Sequence, residues 1–77
     1  MAAYPNPTTN YFKIEASTYL GQSLKYHLTD LHGNFIEEGR ILDPGAIVDV
    51  SGLAVAVYLL HITNGSERIK TFKIIKK

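Results

Sequence analysis

A chain of seventy-seven residues with a net charge of +1 and no cysteine makes one thin domain, held by packing without disulfides or thiolate metal sites. The near-neutral balance argues against a nucleic-acid partner gripped by neutralising many phosphates. Apolar residues make up 45% of the chain, too many for a disordered tail, and Ile, Val, Tyr and Phe among them suit a pleated surface.

Met1 to Ala3 reads as an expression leader, with the domain running from Tyr4 to Lys77. Nothing here has the basic start and apolar stretch of a signal peptide. Phe12, Ile14 and Ala16 alternate with Tyr11, Lys13 and Glu15, as a strand with one buried face requires. Leu24, Tyr26 and Leu28 alternate with Lys25, His27 and Thr29 in the same way. A third strand is expected over 34–42, with Gly39 as a weak point or bulge. Ala46 to Val50 is short and β-branched. Ala56 to Thr63 is apolar on both faces, which predicts a strand central to the fold. Arg68 to Ile75 closes the set, with Phe72 and Ile74 inward. A seventh strand is expected in 17–21 or around Pro7.

Turn chemistry separates these runs. Asp30-Leu31-His32-Gly33-Asn34 has an Asx start and a glycine for positive φ, Asp43-Pro44-Gly45 suits a type I or II turn, and Asn64-Gly65 is the clearest hairpin signal. Only 51–55 could hold a helical turn, with Ser51 as its cap. The pattern predicts an all-β fold, a small antiparallel Ig-like β-sandwich of about six or seven strands.

Chemistry is sparse. The longest apolar run, Leu53 to Leu60, stops at His61 and falls well short of a membrane span. His27, His32 and His61 have no metal-ligand spacing, so they read as solvated or edge residues. Among the carboxylates only Glu37 and Glu38 adjoin, and on a strand they face opposite ways, which suits edge protection better than catalysis. No serine sits in a nucleophile elbow and no glycine loop cradles phosphate. Neither an enzyme nor a cofactor or metal site is expected. Tyr26 and Tyr58 alternate with leucines and read as core residues whose hydroxyls reach the rim, while Tyr4, Tyr11 and Tyr19 are free for a binding face. Lys70 and Lys73 suit a solvated edge. Lys76 and Lys77 are expected beyond the sheet, where edge protection does not account for them.

Five ordered blocks carry a resemblance. Tyr4-Pro5-Asn6-Pro7 with Phe12-Lys13-Ile14 comes first, then Leu28-Thr29-Asp30-Leu31-His32-Gly33, then Val48-Asp49-Val50-Ser51-Gly52-Leu53-Ala54. Val57-Tyr58-Leu59-Leu60-His61-Ile62 and Phe72-Lys73-Ile74-Ile75-Lys76-Lys77 complete the series. Together they resemble the C-terminal sorting domain of the type IX (Por) secretion system. Ala56 departs from that pattern, which usually has glycine there. The resemblance implies a module that is recognised rather than catalytic. It implies as partners the type IX translocon and shuttle proteins of the outer membrane, and a sortase-like cysteine peptidase that cuts upstream and joins the cargo to anionic lipopolysaccharide. The cargo would pass through the periplasm to the surface of a Gram-negative cell.

On this reading Tyr4, Pro5, Asn6 and Pro7 form a stiff lead-in, because each proline fixes φ. Lys70, Phe72, Lys73, Ile74, Ile75, Lys76 and Lys77 would carry translocon recognition, with the last strand offering a free edge for strand addition. Asp30, Gly33, Asp49, Leu53 and Tyr58 would be structural. A homodimer through edge strands is compatible with the pattern. The alternative is an adhesion or carbohydrate-binding β-sandwich of a larger secreted protein.

Overall fold

The computed structural model describes residues 1–16, 23–42 and 45–77. These form seven strands, β1 (Ala2–Tyr4), β2 (Tyr11–Glu15), β3 (Leu24–Asp30), β4 (Phe35–Ile41), β5 (Gly45–Asp49), β6 (Ala56–Asn64) and β7 (Glu67–Lys76), and no helix among the described residues. A three-stranded sheet runs β1-β2-β5 and a four-stranded sheet β4-β3-β6-β7. Every strand pair is antiparallel.

Period-two alternation sets what lies between the sheets. Phe12, Ile14 and Val48 from one sheet meet Leu28, Leu60, Ile62 and Ile74 from the other, all with no exposed surface. Each such side chain contributes about 1.5–3 kcal/mol relative to an exposed one. β6, apolar on both faces, lies between β3 and β7 as its composition predicts.

Several expectations change in detail. The seventh strand is β1, which takes in Ala2 and Ala3, and it pairs Ala3 with Ile14. Residues 17–21, Tyr19 and the Asp43-Pro44 turn lie outside the described residues. Gly39 does not mark the irregularity of β4, which falls opposite the Leu28–Thr29 step. Instead Gly39 faces Tyr26 in register, and a Cβ there would come within 2.8 Å of the tyrosine ring. The missing side chain makes room for a buried aromatic whose hydroxyl donates to Glu37 across 3.1 Å.

The segment after β5 is a turn rather than a helical one. Asp49 accepts from the Ser51 N–H (2.9 Å) and Leu53 N–H donates to the Val50 carbonyl (3.0 Å). Ser51 is thus the capped residue and not the cap. Asn64-Gly65 behaves as expected, with Gly65 at φ 65° and Asn64 paired with Glu67. Beyond it, β7 carries a bulge. Ile62 pairs with Lys70 but Thr63 pairs with Arg68, so one extra residue reverses the facing of the strand's first residues.

Candidate functional site

β7 is an edge strand by sheet order, and its sequence divides its faces. Phe72 and Ile74 point to the core, Ile74 fully buried and Phe72 packed against the cluster. The Lys70 amine lies 5.4 Å from the centre of the Phe72 ring. Lys73 and Lys77 are exposed and Ile75 is half-buried. Lys76 differs from expectation. It belongs to β7, pairs with Ala56, and keeps only 7% of its surface exposed. It shares the inward parity of Phe72 and Ile74, and its amine reaches out to donate to the Lys77 carbonyl at 3.0 Å. Long lysine stems permit such burial while the charge finds polar company.

The expected free edge is not free along its last residues. Tyr4-Pro5-Asn6-Pro7, with both X-Pro bonds cis, leads the chain along the outside of β7. The Asn6 carboxamide donates from Nδ2 to the Lys73 carbonyl (2.6 Å) and accepts from the Ile75 N–H (2.9 Å) at Oδ1. A carboxamide offers one acceptor and a donor in the manner of a peptide group, so Asn6 stands in for a strand partner. Neither flanking proline has an N–H to offer. Two residues on, the backbone takes over. Thr8 N–H donates to the Ile75 carbonyl at 2.9 Å, and Lys77 N–H donates to the Thr8 carbonyl at 2.7 Å. Thr8 is buried and its hydroxyl donates to the Tyr11 carbonyl. Strand addition to Lys73–Lys77 would have to displace this strap. A groove of about 260 Å³ beside it is lined by Pro5, Pro7, Thr8, Tyr11 and Lys77.

The lead-in and the closing lysines, 67 positions or more apart, are therefore one surface. Its sequence signal was an asparagine between two prolines, legible as rigidity but not as pairing. Replacing Asn6 with alanine removes both side-chain bonds. Exposed hydrogen bonds contribute about 0.5–1.5 kcal/mol each, so losing the two is expected to lower the melting temperature of Asn6→Ala by about 4–24 °C. Asn6→Asp retains only the acceptor and should fall between the two, as calorimetry would show.

The motif residues expected to be structural make local contacts. Asp30 accepts from Asn34 Nδ2 (3.0 Å), Asn34 N–H (2.9 Å) and His32 N–H (2.8 Å), which hold its carboxyl below the usual range. Gly33 supplies the φ of 85° that closes this turn. The Ser51 backbone bond lowers Asp49 likewise. Leu53 packs half-buried against the core. Tyr58, 5% exposed, donates its hydroxyl to the Ala54 carbonyl at 2.7 Å. Ala56 is exposed and, like every described non-glycine residue, avoids positive φ. Alanine is accommodated at this position.

The histidines correct the expectation of solvated or edge positions. His27 and His61 face each other on central strands with ring centres 4.6 Å apart. His61 is buried, with Nε2 3.1 Å from the Thr29 hydroxyl and Nδ1 3.2 Å from that of Thr71. Only His32 is exposed. Among the described residues no three His, Cys, Asp or Glu groups are placed to hold a metal. Burial first, then His27 and Arg68, disfavour the charged form and lower the His61 pKa from 6.5. The unfolded chain then binds this proton more readily than the native state. The stability linked to His61 is full above about pH 6.5 and declines as pH falls toward the lowered value. Melting curves between pH 7.5 and pH 5 should show that decline in the native protein and less of it in His61→Gln.

A family model described as a secretion system C-terminal sorting domain matches residues 2–77. No curated protein matches the chain. The matched family is one of sorting signals and not of enzymes, and it implies work with the type IX machinery and export through the outer membrane. With the match spanning the strap, both sheets and the closing strand, the chain belongs to the type IX secretion C-terminal sorting domain family.

Proposed function

We propose that the machinery reads this domain as a folded object, through the exposed side chains of the segment from Lys70 to Lys77 together with the lead-in Tyr4 to Pro7. The observation that carries this reading is the pairing of Asn6 and Thr8 with Lys73, Ile75 and Lys77. A contact made to one of these segments reaches the other. Lys73 and Lys77 present charge at that junction, whereas Ile74 and Lys76 hold the strand in place.

After passage, a sortase-like cysteine peptidase cuts upstream of the module and the cargo is attached at the surface. β1 and the strap together fit that order of events, because pairing on β2 and on β7 holds the segment that a linker from the cargo would lead into. Dimerisation by strand pairing would use β1, β4 or β5, whose outer edges lack a neighbouring strand among the described residues, apart from the single Leu42–Gly45 bridge.

The test is transplantation. Residues 1–77 fused behind an unrelated protein with its own periplasmic export signal should bring that protein to the surface or medium of a type IX host. Retention of a folded fusion in the periplasm would contradict the proposal.

A further inference from the structure

The outward face of the four-stranded sheet separates charge more sharply than the composition suggests. Lys25 pairs with Arg40 on β4 and with Thr63 on β6, and Thr63 pairs with Arg68 on β7. Four neighbouring strands thus place three cations in one row, about 14 Å from end to end at the usual strand spacing. All three are exposed, and none makes an ion pair among the described residues. The β7 bulge is what brings Arg68 there, since without the extra residue its side chain would share the inward parity of Lys70.

This arrangement works against stability. Like charges directly opposite on antiparallel strands repel, and Lys25 and Arg40 are such a pair. The chain carries seven carboxylates, yet on this face only Glu38 accompanies the row, opposite His27. Folding alone gains nothing from putting the cations together. A bound anion would.

We propose that the row Arg40, Lys25 and Arg68 is a docking surface for an acidic protein segment laid across the strands. Several features favour a peptide over a membrane surface. Of the exposed apolar residues near this sheet, Leu31, Phe35 and Val55 belong to the Asp30–Tyr58 end, and Leu42 alone, two residues beyond Arg40, lies near the cations. The cations lie at the opposite Leu24–Asn64 end. A lipid surface is held most firmly where several apolar side chains and cations share one contact area, and a single leucine does not supply that. A peptide carboxylate ladder needs only the cations, and arginine can grip carboxylates with two parallel bonds. This inference stands apart from the sorting role, and neither depends on the other.

The test titrates the isolated domain with a short poly-glutamate peptide at low salt and follows backbone amide shifts. Shifts centred on Lys25, Arg40 and Arg68 are expected, fading as salt screens the charges. Lys25→Gln, Arg40→Gln and Arg68→Gln should each weaken binding about two- to five-fold, while Lys13→Gln, on the other sheet, should leave it unchanged. Equal losses from Lys13→Gln, shifts confined to 70–77, or binding to phosphatidylglycerol vesicles without binding to the peptide would each overturn the proposal.

Discussion

Deleting Lys73 to Lys77 is expected to leave a cargo trapped in the periplasm, and the structure gives two reasons instead of one. The deletion removes the exposed lysines proposed for recognition. It also removes Ile74, which has no exposed surface, and every β7 partner of Asn6 and Thr8. Loss of one buried isoleucine costs about 2–5 kcal/mol, comparable to the whole margin of a domain this small. The truncated domain should therefore be largely unfolded, visible as a lost cooperative melt. Normal surface display of the truncated cargo would contradict both reasons at once.

Tyr58→Ala should act through folding alone. The ring sits between the sheets with 5% exposure, and its hydroxyl holds the Ala54 carbonyl. Removing a buried aromatic costs about 3–5 kcal/mol, enough to leave much of the population unfolded at growth temperature. Tyr58→Phe keeps the ring and gives up one hydrogen bond, at a cost of about 1 kcal/mol. Export across the two variants should follow their melting temperatures. A Tyr58→Ala domain that melts like the native one and still fails to export would make Tyr58 a recognition residue.

Strand positions were legible because one buried face leaves a period-two trace, and Phe12, Ile14, Tyr58, Leu60 and Ile74 all lie where that trace puts them. The hairpin at Asn64-Gly65 was legible because its φ requirement selects residues. Lateral neighbours leave no such trace. Nothing in the lysines at the close of the chain signals that Asn6 covers the strand beside them, so the edge looked open and Lys76 looked superfluous. Gly39 was ambiguous for the same reason, since a gap for the Tyr26 ring and a bulge both call for glycine. His27 and His61, 34 positions apart, meet only through the β3–β6 register.

On the function proposed above, a folded surface, and not an unfolded tail, is what the machinery reads. Lys73→Glu with Lys77→Glu tests it most directly, because both side chains are exposed and neither supplies a side-chain hydrogen bond among the described residues. Exposed substitutions of this kind change stability by about 0.5 kcal/mol or less. Fractionation of cells expressing the full cargo, paired with a melting curve of the variant domain, gives both readouts. A native-like melt with the cargo held in the periplasm is expected. A native-like melt with cargo at the surface in normal amounts would contradict that function.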